Sequence, residues 1–264
     1  MMTVHLNMSM FIMKNVNYKG LSLRIDDSSH KMHIWFIHGF GETADSFSGV
    51  ENNSDILENY SIRIPNLPGC GKSNALSFES IADVAKIIVE SINKFSPNKD
   101  IILVAHSMGT LIGEKVVEKL NHRVKLFISI EGFLIQYKER FSSTILQYDE
   151  PLQFYDAFVK KISEANAGSV SKSYLDHILS CTPQALYTWA KSCYAMTSNY
   201  INLKCKLVYM CGTKSAYKPE LELLQSASID IIQFDNCGHW VMYDASNFYD
   251  EVFRLCSTAT TYRE

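Results

Sequence analysis

Residues 100–132 read DIILVAHS, MGTLIGEKVVEKLNHR and VKLFISIEG, an apolar run, a helical pattern and a second apolar run. An apolar run with no polar alternation must be covered on both faces, and strands of that kind separated by amphipathic helices indicate a mostly parallel sheet between helix layers. The same rhythm extends both ways. Upstream lie the β-rich runs VHLNMSMFI, LSLRI, MHIWFIHGF and YSIRIPN, then SFESIADVAKIIVESINKF, which sets Ile81, Val84, Ile87, Ile88 and Ile92 at helical spacing behind a Ser77 or Ser80 cap. Downstream come CKLVYMCG, a helix near KPELELLQSA, the strand DIIQF and a last helix from about residue 245 to 256.

The rhythm breaks over residues 133–200, where no convincing strand occurs and DEPLQFYDAFVKKISEANAG, SKSYLDHILS and TPQALYTWAKSCYAMTS read as helices. The chain is therefore expected to be an α/β core, residues 1–132 and 201–264, interrupted by a helical insertion. At 264 residues and 47% hydrophobic content such a core can be well filled. A net charge of -3 with no Lys/Arg stripe excludes a nucleic-acid or anionic-membrane footprint and favours a small, largely neutral partner.

The first lysine is Lys14, behind an apolar stretch too short and broken for an export leader or a membrane span, and no other run reaches spanning length. Seven cysteines without a C-x-x-C spacing, scattered through apolar stretches, are expected to be buried thiols in a reducing cytoplasm rather than disulfides or a structural zinc site. His30 and His33 read as loop and strand-edge residues.

NLPGCGKSN, residues 66–74, ends like a phosphate-binding loop. That motif needs a glycine five positions before Gly71, where Asn66 stands, and a helix starting at the lysine, whereas no helical pattern begins before about Phe78. A nucleotide site is not expected there.

A different chemistry is written in Ala105-His106-Ser107-Met108-Gly109. A serine between small residues, after a strand and before a helix, has the pattern of a nucleophile elbow. Its hydroxyl needs a base, and the base needs an oriented acceptor. His239, in a Gly-His turn between DIIQF and the last helix, is the candidate base. Glycines in His38-Gly39-Phe40-Gly41, at the end of an early buried strand, let the backbone approach a substrate oxygen. The backbone N–H groups of Phe40 and Met108 are the expected oxyanion donors.

The HGFG turn, AHSMG elbow and GHW turn, in this order and spacing, resemble the α/β-hydrolase fold superfamily over essentially the whole chain. In that family a loop after the next strand commonly reads D-x-P-G-x-G-x-S, and residues 66–73 fit it at every fixed position but the first. Family members mostly place the acid three residues beyond the glycine equivalent to Gly212, which is Ser215 here. The similar haloalkane dehalogenase group in part uses the end of the strand after the elbow helix, where this chain has Glu131. A carboxylate ending so buried a run is costly unless a cation or imidazole accepts it. Glu131 is therefore expected to orient His239, with Glu220 and Asp235 as fallback acids.

The insertion follows Glu131 as caps do in this superfamily. Its aromatics Phe133, Tyr137, Phe154, Tyr155, Phe158, Tyr187, Trp189 and Tyr194 suggest an apolar roof, most of it cap core. The resemblance implies a serine hydrolase of a small or medium, largely apolar carboxylic ester or thioester, acting through an acyl-enzyme without metal or organic cofactor. Alternatives are a ligand receptor or inactive enzyme on the same fold, or hydrolysis of a carbon–carbon bond by the same triad. Oligomeric state is not legible.

Overall fold

The computed structural model describes residues 13–132, 141–165 and 168–261. Its strands are β1 (Lys14–Tyr18), β2 (Leu21–Ile25), β3 (Met32–Ile37), β4 (Ser61–Pro65), β5 (Asp100–His106), β6 (Val124–Ile130), β7 (Lys206–Gly212) and β8 (Asp230–Phe234). They form one sheet of order β1-β2-β4-β3-β5-β6-β7-β8. The β1/β2 and β2/β4 pairs are antiparallel and all later pairs parallel. Helices are α1 (Ser54–Asn59), α2 (Ile81–Phe95), α3 (Gly109–Leu120), α4 (Pro151–Glu164), α5 (Gly168–Leu179), α6 (Pro183–Ala195), α7 (Lys218–Ser226), α8 (Val241–Asp244) and α9 (Phe248–Thr261).

The two-residue period of a strand divides the core in two. On one face Trp35, Ile37, Ile101, Leu103, Ala105 and Phe127 pack with Val84, Ile88 and Ile92 of α2 and Ile112 and Val116 of α3. On the other, Ile34, Phe36, Ile102, Val104, Ile128 and Met210 pack with Phe47 and with Phe248, Val252 and Cys256 of α9. Each fully buried aliphatic of this kind contributes roughly 1.5–3 kcal/mol of burial free energy. That is why β3, β5 and β6 read as unbroken apolar runs.

Ser80 caps α2, accepting from the Asp83 N–H at 3.2 Å and donating its hydroxyl to the Asp83 carboxylate at 2.7 Å. β1 was not expected, because KNVNY is half polar and lies at the sheet edge. The strand expected over residues 4–12 lies outside the described residues. The last helix starts three residues later than expected and runs on to Thr261. A 3-10 segment, Ala44–Asn52, and α1 occupy the stretch after β3 that the sequence left unassigned. Thr43 and Asn53 cap them with side-chain oxygens.

Between β6 and β7 the described residues contain helices and no strand. Phe154, Phe158 and Trp189 are buried, whereas Tyr194 is exposed; Phe133 and Tyr137 lie outside the described residues. Phe154 stacks on Phe158 at 5.8 Å. Trp189 packs on Phe78 at 4.1 Å and donates its indole N–H to the Pro68 carbonyl at 3.2 Å.

The loop after β4 seats these helices. Gly69 has φ +80° and carries no Cβ where one would fall 2.0 Å from the Ala185 Cβ; its carbonyl takes the Thr182 N–H at 2.9 Å. Asn66 accepts from the Ala44 N–H at 3.0 Å and Ser73 from the Ser22 N–H at 2.8 Å, while Lys72 points into solvent. The GKS stretch is a structural brace, not a phosphate cradle. All seven cysteines are free thiols. Among the described residues no helix is long and apolar enough to cross a membrane, and no cluster of three or more His, Cys, Asp or Glu is arranged to hold a metal. His33 instead bonds the Ser96 hydroxyl at 2.7 Å from within β3.

Candidate active site

β5 and β6 end alike. Ser107 follows β5 at φ +51° and Glu131 follows β6 at φ +50°, both left-handed conformations that non-glycine residues adopt at a cost of roughly 1–2 kcal/mol. Each still holds a ladder bond to the next strand, Ser107 N–H to the Ile130 carbonyl and Glu131 N–H to the Met210 carbonyl, both at 2.8 Å. The sheet thus pins the two residues at its carboxyl edge and turns their side chains out of the strand direction. Parallel α/β sheets bind their ligands at this edge.

Glycines allow the surrounding turns to close in. A Cβ on Gly109 would fall 2.5 Å from the Ile37 carbonyl oxygen, so α3 can start only by passing directly over the end of β3. A Cβ on Gly39 would lie 3.2 Å from the Ser107 Cβ, which brings the turn carrying Phe40 onto the serine. The Gly39 carbonyl receives the His38 ring at 2.9 Å and the Glu42 N–H at 3.4 Å. A trans peptide points its N–H opposite its carbonyl, so the Phe40 N–H faces away from both. On the other flank, the Met108 N–H meets no acceptor among the described residues.

His239 lies in the turn between β8 and α8. That turn packs on the end of β7 so closely that a Cβ on Gly212 would sit 2.2 Å from the Cys237 carbonyl oxygen. His239 Nδ1 is 3.5 Å from Glu131 Oε2, an ion-pair distance just beyond a good hydrogen bond. The other carboxylate oxygen of Glu131 takes the Gly212 N–H at 2.8 Å and the Ser215 hydroxyl at 2.6 Å. The His239 ring stands 4.8 Å from the His106 ring and 5.2 Å from the Trp240 ring. The Ser107 hydroxyl makes no hydrogen bond to another described residue. Of the fallback acids, Asp235 is exposed beyond β8 and Glu220 is buried in α7.

The structure thus brings Ser107, His239 and Glu131 to one edge of the sheet, with the Phe40 and Met108 amides on either side of the serine. A sequence model of the alpha/beta hydrolase fold matches residues 33–204, about two thirds of the chain. The chain belongs to the α/β-hydrolase fold family. No curated protein matches this α/β-hydrolase by sequence. Among solved structures it is similar to a thermophilic esterase from Thermogutta terrifontis, at TM-score 0.75 and 14% identity over 94% of this chain and 98% of the other. It is also similar to a carboxylesterase structure from Nitrososphaera gargenis, at 0.72 and 12% over 94% and 99%. E-2-(acetamidomethylene)succinate hydrolase matches at 0.69 and 13% over 95% and 99%. At such identities these likenesses show the fold.

Other residues of the α/β-hydrolase site escaped the sequence reading. Glu42, only 2% exposed, receives the Gly39 N–H at 2.7 Å and the Trp240 indole N–H at 2.8 Å, and lies 2.8 Å from His106 Nδ1. Burial would raise its pKa, but the charge and contact of His106, the Gly39 N–H and His38 overcome that and hold it at about 2. Tyr174 of α5 donates its hydroxyl to the Phe40 carbonyl at 2.9 Å and meets the Trp240 ring at 4.9 Å, tying the helical insertion to both turns. Ser215 was noted for the acid it lacks and not for the hydroxyl it brings. A signal did exist for Glu42 and His106: each interrupts an otherwise apolar or small-residue stretch beside a motif, where an ionisable group needs a partner.

Proposed function

We propose that this α/β-hydrolase is a serine hydrolase of carboxylic esters or thioesters, with residues 133–200 forming a cap over a core of residues 1–132 and 201–264. Ser107 attacks the carbonyl carbon as His239 takes its proton, and Glu131 holds the ring and stabilises the imidazolium. The Phe40 and Met108 amides receive the oxyanion. His239 then returns the proton to the leaving alcohol or thiol, and water releases the acyl group by the same route. No step calls for a metal or organic cofactor.

One observation carries this reading: a left-handed Ser107 beneath the Gly39 turn, with the His239 ring 4.8 Å from the ring of the preceding residue, His106, and its Nδ1 3.5 Å from a carboxylate that two other donors hold in place. The open Ser107 hydroxyl is compatible with it, because catalytic hydrogen bonds often tighten only when substrate is bound. The best support for an inactive fold relative was the missing acid at position 215, and the 3.5 Å approach of Glu131 to His239 favours the catalytic reading over it. Phe158, edge-on to Phe40 at 5.4 Å, supports an apolar acyl or alcohol group under the cap. The free thiols support a reducing, cytoplasmic setting.

A fluorophosphonate probe should label the wild type and not Ser107→Ala, and p-nitrophenyl esters of increasing chain length should then define the acyl preference. Folded wild-type protein that resists the probe overturns the assignment. Turnover of a diketone in place of every ester would shift it to carbon–carbon bond hydrolysis.

A further inference from the structure

Two histidines flank the elbow, and their surroundings differ. His38 Nε2 accepts the Leu67 N–H at 2.9 Å, so its one proton sits on Nδ1 and goes to the Gly39 carbonyl at 2.9 Å. His38 is neutral. Around His106, fully buried, both ring nitrogens have an oxygen beside them: Nε2 bonds the His239 carbonyl oxygen at 2.9 Å, and Nδ1 lies 2.8 Å from Glu42 Oε1, too oblique for a hydrogen bond but within ion-pair distance. A carbonyl and a carboxylate offer no proton, so a neutral ring would leave an unprotonated nitrogen against one of them in a fully buried site.

We propose that Glu42 and a doubly protonated His106 form a buried ion pair that clamps the Phe40 turn and the His239 turn to the end of the Ser107 strand. The bonds account for both halves of the clamp. Glu42 takes the Gly39 N–H at 2.7 Å, fixing the peptide immediately before the one that carries the Phe40 N–H. It also accepts from the Trp240 indole N–H at 2.8 Å, and His106 Nε2 donates to the backbone carbonyl of His239 itself. Two N–H donors therefore converge on one carboxylate, and the His106 ring beside it, 2.8 Å away, supplies the balancing charge. Burial by itself would lower the His106 pKa, yet the Glu42 charge and contact, the His239 carbonyl and the Glu131 charge together raise it. Neither residue touches substrate in this scheme. They are positioning residues, and the inference rests on Ser107 being the nucleophile.

The test has two arms. In ¹⁵N-histidine NMR about one pH unit above the ordinary histidine value, the wild type should show one ring with both N–H protons retained, assigned by its loss in His106→Gln. A His106 with a single ring proton overturns the pair. In the second arm, Glu42→Gln, checked for wild-type circular dichroism, is reacted with a fluorophosphonate over a range of concentrations. Displacement of a reacting group by about 1 Å costs about 10²-fold, so the maximal labelling rate should fall by that order while the half-saturating concentration stays within a few-fold. A folded Glu42→Gln that labels at the wild-type rate overturns the clamp. Wild-type protein that does not label would sink the nucleophile assignment instead, and the NMR spectrum would still decide the ion pair.

Discussion

Replacing Glu131 by glutamine probes the proposed triad at the point where this chain departs from the common arrangement. In the native structure Glu131 Oε1 is held by two donors, the Gly212 N–H at 2.8 Å and the Ser215 hydroxyl at 2.6 Å, while Oε2 faces His239 Nδ1 at 3.5 Å. A glutamine amide must keep its oxygen against those donors and so presents its NH₂ group to His239. Nδ1 then becomes the acceptor, the ring proton moves to Nε2, and the nitrogen that should receive the Ser107 proton is occupied. The wrong tautomer costs about 10⁴ in kcat in the serine-protease precedent, roughly 5.5 kcal/mol of barrier at 1.36 kcal/mol per decade. Ester turnover by Glu131→Gln should fall by that order at neutral pH, with KM changed little. Because the Ser215 oxygen already lies 2.6 Å from the native carboxylate, Ser215→Asp added to Glu131→Gln should recover part of the rate. A single variant within tenfold of wild type would refute the assignment, and a Glu220→Gln variant that loses more activity would identify its replacement.

Ser215→Ala alone removes one hydrogen bond to a charged group, worth about 1.5–3 kcal/mol, and should lower kcat by about tenfold in the same ester assay; an unchanged kcat would mean the Gly212 N–H holds Glu131 alone. Gly69→Ala imposes a left-handed alanine and drives a methyl to 2.0 Å from Ala185, so the urea midpoint should correspond to a loss of about 2–4 kcal/mol, partly restored by Ala185→Gly. Equal midpoints would separate that loop from α6. Burial, the leading cause, holds the buried His38 at a pKa of about 4, below its ordinary 6.5, so the folded state binds fewer protons than the unfolded one between those values. Stability should then fall as pH drops from about 6.5 to 4, by roughly 3 kcal/mol for His38, with His33 acting in the same direction. Glu42 extends the loss from about 4.5 towards 2, since its depressed value stabilises the fold only while it is ionised. A flat unfolding free energy across that upper range, read by urea titration at each pH, would contradict the buried neutral state of His38.

The sheet was legible because its central strands are buried on both faces, and no polar residue can interrupt such a run cheaply. Leu103 and Val104 point to opposite helix layers, yet both are fully buried. β1 lacked that signal: its burial is partial and Asn15 and Asn17 interrupt it, since an edge strand need cover only one side. The segment after β3 was opaque for a related reason. Its turns are set by Thr43 and Asn53 capping backbone N–H groups, a short-range device that leaves no apolar period to count.

The site divides along another line. Ser107 and His239 could be proposed from the sequence because their positions call for small neighbours, and the structure shows what crowds Gly39, Gly109 and Gly212. Partners could not be read in that way. Glu131 and Ser215 are 84 residues apart, and Glu42 and Trp240 are 198 apart; each pair meets only once the sheet order has placed β3, β5, β6 and β7 side by side. The departure from the common pattern is thus a coupled change. On the proposed assignment the acid stands one strand earlier, and the residue at the usual place, Ser215, donates its hydroxyl to it. The serine at 215 and the glutamate at 131 therefore have to be judged as one hydrogen-bonded unit, and their substitutions should be non-additive in a double-mutant cycle.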